Sequence, residues 1–218
     1  MKYFKTLPLI NQKDPSGNSI IVNNILTRAY LLPSLQKNLM LFYTYNITEI
    51  DTPENMSYRY YNDPYRYWIL FYSNGIMDPY AEWPLTNQQF TIYLNDKYSG
   101  AAANSLNIAS NVVTSSQTFS YITSTVHHYE QYITTKNSID NQGQTITIQI
   151  DKDTYNSISP ETDTATFNDG TTVTREISAS AISIYQYEDK LNESKRTIQI
   201  MQDTFVPQME NQLKSLMR

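Results

Sequence analysis

The chain contains no cysteine. This excludes disulfides, thiolate metal sites, iron–sulfur clusters and cysteine nucleophiles, and leaves the redox compartment open. Its five glycines, at 17, 75, 100, 143 and 170, are too scattered to form a phosphate-cradling loop, so nucleotide binding through the Gly-rich motifs is excluded. The only two histidines are adjacent, His127 and His128. Neighbours in sequence point in different directions on a strand or a helix, so one metal ion is not expected to take both. No Gly-x-Ser-x-Gly elbow is present to place a serine beside either ring. Basic residues are also scarce, 16 against 21 acids, for a net charge of -5. Duplex binding requires clustered cations to neutralise phosphates, and the longest basic run is Lys195-Arg196, so no nucleic-acid partner is expected. No apolar stretch approaches the roughly 18 residues of a membrane span. The N-terminal apolar run is broken by Lys5 and is too short for a signal-peptide core. The sequence therefore predicts a soluble chain, with no membrane partner and no ordinary export signal.

What is abundant is tyrosine, with 19 copies in 218 residues. A tyrosine ring can be buried while its hydroxyl still reaches a partner or water, which suits surfaces that meet other surfaces. With 40% hydrophobic residues and 13% aromatics, much of the available apolar area is aromatic. The excess is concentrated between Tyr58 and Trp83.

Along the chain, residues 1–24 read as an extended arm, interrupted by Pro8, Pro15 and Gly17. Residues 25–98 read as a compact module. Mixed spacings around Pro33 predict a helix there, running into a strand near Tyr43 to Ile47. Thr52-Pro53-Glu54 then supplies a capping hydroxyl, a first-turn proline and an acid near the positive end of a helix dipole, predicting a helix to about Tyr61. Asp63-Pro64 repeats the start signal and Asn74-Gly75 the stop, which bounds a second helix. Thr91 to Leu94 is strand-like in composition. Residues 99–125 are rich in Ser, Thr, Ala and Asn and read as a polar connector or insertion.

Residues 126–218 read as strand-rich, with TITIQI alternating at Ile146, Ile148 and Ile150 after a turn at 141–143. A hairpin tip is expected at Asp169-Gly170, and a second hairpin over 185–201. A last amphipathic helix gathers Val206, Met209, Leu213, Leu216 and Met217 on one face, with Asp203 or Thr204 as its cap. The fold class expected is α+β.

No catalytic constellation emerges. Glu49, Asp51 and Glu54, and Asp151 with Asp153, are expected as solvated acids. The calcium-loop-like opening at Asp151 fails, because Asn156 and Thr162 stand where the turn glycine and the closing glutamate belong. The chain is read as a binding protein rather than an enzyme, with no cofactor and no metal.

The order strand, helix, helix, strand from Tyr45 to Tyr98, with Asp51-Thr52-Pro53 at the first helix start and Asn74-Gly75 at the second helix end, resembles the LysM module. The run YYNDPYRYWILFYSNGIMDPYAEW is more specific. Its Asn62, Pro64, Tyr67, Trp68, Asn74, Asp78, Pro79, Tyr80 and Trp83 resemble the signature of the baseplate wedge subunit of contractile-tailed bacteriophages that carries a LysM-like domain. A second block, YQYEDKLNESKRTIQI from Tyr185 to Ile200, is similar to the C-terminal part of that family through Glu188, Asn192, Glu193, Arg196, Ile198 and Ile200. His128-Tyr129-Glu130-Gln131-Tyr132 is a further, shorter likeness. Residues 99–125 and 134–175 show no match.

The resemblance implies a small LysM-like βααβ module followed by a strand-rich region with a C-terminal helix. It also implies a structural role in the virion, in a tail baseplate assembled in the host cytoplasm. The implied partners are the core-bundle subunits of a wedge, the sheath-initiator subunit and neighbouring wedges. Trp68, Leu70 and Phe71 are expected in the module core. A second helix that is apolar nearly all round, on so small a module, leaves aromatic surface over. Tyr65, Tyr72, Tyr80 and Trp83, with Arg196, are therefore the expected partner-binding residues. The alternative is a glycan-binding LysM module of a cell-wall-associated protein.

Overall fold

The computed structural model describes residues 3, 7–27, 38, 40–109, 112–139 and 143–217. In chain order these form β1 (Leu9–Lys13), β2 (Ser19–Asn23), β3 (Phe42–Asn46), α1 (Pro53–Tyr61), α2 (Tyr67–Asn74), α3 (Pro79–Glu82), α4 (Asn87–Leu106) and α5 (Ser115–Ser124). There follow β4 (Val126–Asn137), β5 (Gly143–Ile150), α6 (Lys152–Ser157), β6 (Glu161–Thr166), β7 (Thr172–Ser183), α7 (Ile184–Ser194), β8 (Thr197–Met201) and α8 (Val206–Leu216). The class is α+β. The contacts divide the chain into two units, residues 1–87 with 192–218, and residues 88–191. This grouping is nested, whereas the sequence suggests a linear division at 25–98, 99–125 and 126–218.

In the first unit, α1 and α2 stand where their punctuation predicts. The Thr52 hydroxyl accepts from the Asn55 amide at 3.3 Å, Pro53 opens the helix, and Asn62 closes it in the left-handed region at φ 50°. Asp63 then caps a 3-10 turn over Pro64–Arg66, accepting from the Tyr65 amide at 2.9 Å. Gly75 ends α2 at φ 68°, a backbone conformation that costs a residue with a Cβ and costs glycine nothing.

These helices pack on a two-stranded antiparallel sheet in which β3 pairs with β8, Phe42 opposite Met201 and Asn46 opposite Thr197. The unit's apolar core combines Phe42, Met56, Leu70, Ile200, Val206 and Leu213 with the neighbours of each. In α8, Val206, Met209 and Leu213 are buried as the spacing predicts, as is Met217 just past its end, but Leu216 is 74% exposed. Neither Asp203 nor Thr204 caps α8. A 3-10 turn over Asp203–Phe205 leads into it, and Phe205 occupies the cap without a side-chain bond.

The second unit holds a four-stranded antiparallel sheet of order β5-β4-β7-β6. Directly paired residues share a face. Tyr129, Gln131 and Ile133 of β4 therefore stand on the same side as Ile150, Ile148 and Ile146 of β5, and as Ala181, Ala179 and Ile177 of β7. The ring of Tyr155 in α6 lies 4.7 Å from that of Tyr129, at one end of this face. The Asp-Gly tip is found between β6 and β7, where Gly170 adopts φ 84° and the Phe167 amide donates to the Thr171 carbonyl at 2.8 Å.

Several expectations are corrected. Thr91 to Leu94 is helical, inside α4. Phe90, Leu94 and Ala102, all buried, recur at multiples of four, and that helical stripe outweighs a short β-prone run. Residues 99–125 are no connector, because they complete α4 and form α5. The start of α5 is a capping box in which Thr114 and Gln117 satisfy one another's backbone amides. The stretch 185–201 is not a hairpin but α7 followed by β8, and β8 finds its partner in distant β3. Where an extended arm is expected over 1–24, residues 9–23 turn back as the antiparallel pair β1 and β2. The helix expected at Pro33 and the turn residues 141–142 lie outside the described residues.

Truncating Ile200, which is fully buried in β8, leaves a cavity in the first unit's core. Ile200→Ala is expected to cost about 2–5 kcal/mol of unfolding free energy. Ile146→Ala, at a site 61% exposed, should cost well under half of that. Urea unfolding of both variants measures the difference.

Candidate binding surface

The two aromatic-rich turns of α2 sort their rings by face. Trp68 and Leu70 are buried, as expected of core residues, and Phe71 is only half-buried. Tyr3 and Tyr72 lie against Trp68, with ring centroids at 5.4 and 6.3 Å. Tyr67 and Trp83 lie edge-on to Phe71, at 5.6 and 5.9 Å. Edge-to-face pairs of this kind add to the area they bury.

The expected contact residues thus fall into three groups. Tyr72 and Trp83 are half-buried and pack against the core, and burial raises the Tyr72 phenol above its ordinary value. Tyr65 and Tyr80 are exposed, at 58% and 94%. They ride on short turns whose starts are capped by Asp63 and Asp78. Arg196 is half-buried and committed to its own chain, bonding Glu193 at 2.6 Å and Glu49 at 2.8 Å. Its carbonyl accepts from the Ile47 amide.

Two asparagines have roles that residue type alone does not announce. The Asn74 side chain donates to the Gln199 carbonyl at 2.8 Å and accepts from the Gln199 amide at 2.7 Å. It also bonds the Leu70 carbonyl of its own helix. It therefore occupies the edge of β8 that faces away from β3, as a third strand would. The Asn192 side chain treats Leu85 in the same way, at 2.8 and 3.1 Å. Asn74 and Asn192 stand in the two blocks that carry the family resemblance. Position in those blocks was the only sequence signal for them.

Four of the five acids expected to be solvated, Glu49, Glu54, Asp151 and Asp153, are exposed. Asp51 is buried. Burial alone would raise its carboxyl, but the Thr48 hydroxyl and amide, the Tyr45 hydroxyl and Arg59 together hold it below the ordinary value. Glu49 accepts from the Asn87 amide as well as pairing with Arg196, and Asp151 caps α6.

In the second unit, buried Glu188 takes Tyr98, Lys97 and Tyr93 at 2.6, 2.7 and 3.2 Å. Glu130 takes Tyr132, Lys190 and His128 at 2.6, 3.1 and 3.1 Å. The two histidine rings do not diverge as expected. A register shift between Val126 and His128 turns them together, with their Nδ1 atoms 2.8 Å apart and His127 stacked on Tyr187. Among the described residues, no group of three His, Asp or Glu is placed to hold a metal ion, and no helix is long and apolar enough to cross a membrane.

A depression of about 240 Å³ is lined by Asn74, Gly75, Glu82 and Lys195 among others. Glu82 accepts from the Met77 and Asp78 amides, and Lys195 donates to the Ala81 carbonyl. In these clusters the donors and acceptors serve one another. They are suited to holding loops and helix ends in place for a contact surface.

No family model matches the chain, and a comparison with curated proteins finds no match.

Glu130 supplies a pH signature. The hydrogen bond from Tyr132, helped by those from His128 and Lys190, lowers its carboxyl from 4.5 to about 2. A depressed acid stabilises the fold above its unfolded pKa, and that contribution is lost as the pH falls through the folded pKa. The stability of the second unit should therefore decline between about pH 4.5 and 2. Glu130→Gln, which removes the titrating group, should start less stable at pH 7 and lose less over that interval. Urea titrations across a pH series read both.

Proposed function

We propose that the chain is a structural subunit of a contractile-tail baseplate wedge, working by binding rather than by chemistry, and that its first unit is a LysM-like module. The observation that carries this reading is where the two resembling blocks stand. They are separated by more than a hundred residues, yet the Asn74 side chain bonds both backbone groups of Gln199, and the Tyr61 hydroxyl donates to the Met201 carbonyl at 3.1 Å. Tyr61 and Asn74 of the first block and Ile198 and Ile200 of the second thus belong to one packed unit, whereas Glu188 of the second block belongs to the other. The order β3, α1, α2, β8, with the two strands antiparallel, supports the LysM-like reading. In this arrangement the closing strand follows a long insertion and does not come from 91–94.

On this reading Tyr65 and Tyr80 are the contact residues, Tyr72 and Trp83 support them, and Arg196 fixes the scaffold. The partners are the core-bundle subunits of a wedge, the sheath-initiator subunit and adjacent wedges, and the protein resides in the virion baseplate. Exposed aromatic anchors suit such a role, because a few aromatic residues carry much of the energy of an interface.

Mixing the full chain with the wedge proteins of its own particle should give a faster-sedimenting complex. Tyr65→Ala with Tyr80→Ala should weaken that complex about tenfold or more, the scale of an interface hot spot, with the melting temperature unchanged. No complex with any wedge protein would overturn the proposal. Specific retention of the chain on peptidoglycan without such a complex would favour the glycan-binding alternative.

A further inference from the structure

The two edges of the four-stranded sheet are not alike. An edge strand offers a row of unpaired backbone groups to any other strand, and chains that must avoid such pairing blunt their edges with charge, proline, bulges or shortness. β6 carries Glu161 and Asp163 within its six residues. β5, the other edge, is eight residues long and reads GQTITIQI, with no charge and no proline. It runs against β4 without a register shift, and all its residues except Ile150 are exposed. It alternates Ile146 and Ile148 on one face with Thr145 and Thr147 on the other.

A second strand surface on the same chain is largely exposed. β1 and β2 form a two-stranded sheet of their own, and such a hairpin is marginal in water without a surface to rest on. One face is mainly apolar, and the other sets two large apolar residues among Asn11, Lys13, Ser19 and Asn23. Ile10, Ile20 and Val22 share one face by their pairing, and Leu9 and Ile21 stand on the other, at 66% and 70% exposure. β1 ends in Lys13, whereas β2, reading SIIVN, is uncharged throughout.

We propose that β2 of one copy adds to β5 of a neighbouring copy as an antiparallel or parallel edge strand, so that copies associate head to tail. Three features favour this occupant. Both strands are uncharged, while β1 and β6 carry the charges, so each joining edge is the neutral one of its pair. The apolar period matches, because Ile20 and Val22 can continue the row formed by Ile146 and Ile148. The five residues of β2 also fit within the eight of β5. A two-fold pairing of β5 with β5 would leave the hairpin bare, whereas the β2 pairing covers both surfaces. Because the two patches differ, each copy offers one of each, and the contact continues into a ring or a filament. Edge pairing over five residues buries little area, which places the contact among weak interfaces that form with concentration. The inference uses strands of this chain alone. It stands or falls separately from the baseplate reading.

Sedimentation of the full chain alone, up to about 500 μM to reach weak interfaces, tests the proposal together with two variants, Ile20→Lys in β2 and Ile148→Lys in β5. Wild type should pass beyond a dimer. Each variant alone should associate at least about tenfold more weakly. An equimolar mixture of the two should form dimers and stop there, since it contains one intact β2 and one intact β5 able to meet. A wild type that stays monomeric would overturn the proposal. So would an Ile20→Lys variant that associates like wild type, or a mixture that forms nothing. If either variant misfolds by circular dichroism, hydrogen exchange of the wild type decides. Protection of the β2 and β5 amides must rise together with concentration, and constant protection would reject the contact.

Discussion

The pairing of β3 with β8 is the constraint on which the first unit depends. It joins residues 151 apart, from Asn46 to Thr197. Closing a loop of that length costs on the order of 4 kcal/mol in chain entropy. The pairing brings Phe42, Ile198, Ile200 and Met201 into the core, all at most 4% exposed. Burial of such side chains stabilises by about 1.5–3 kcal/mol each. Burial therefore wins, and the chain can carry a long excursion between its two strands. The excursion is then secured by directional bonds: Asn74 to Gln199, Asn192 to Leu85, and Arg196 to Glu49. These place the helix end, the loop before α4 and the start of β8 at defined positions around the aromatic helix.

The second unit is held together differently. Among its described residues the buried apolar side chains are few, chiefly Phe90, Leu94, Ala102, Ala103, Ile122 and Ile184. Two carboxylates are each the hub of three hydrogen bonds: Glu188 takes Tyr93, Lys97 and Tyr98 from α4, and Glu130 takes His128 and Tyr132 of its own strand and Lys190 from α7. An acid so surrounded ties strand or helix together, at the cost of sensitivity to protonation. The sheet itself keeps much of its area in solvent, most of all along its edge strands β5 and β6.

Helix starts and stops were legible because they depend on neighbours in sequence. Thr52-Pro53 and Asn74-Gly75 satisfy local backbone groups and mark the boundaries they predict, and Asp63-Pro64 opens the 3-10 turn that leads into α2. The strand at β5 and the Asp-Gly tip before β7 were legible for the same reason. Thr91 to Leu94 misled because four residues of β-prone composition say little about a twenty-residue helix around them. The candidate surface was half legible. Tyr65 and Tyr80 are exposed, but the half-burial of Tyr72 and Trp83, and the commitment of Arg196 to Glu49, depend on elements distant in sequence.

The sequence by itself determined the α+β class, the punctuation of α1 and α2, the apolar stripe of α8, and the absence of cysteine and glycine-loop chemistry. All of these follow from composition or from residues within a few positions of one another. Only the tertiary structure decided that β8 rather than 91–94 closes the sheet, that His127 and His128 turn toward each other, and that Asn74 serves as the missing edge of a strand. Each of those depends on long-range pairing or on a shift of register, which a linear pattern does not encode because the energy that selects it comes from the burial of residues far apart in the chain.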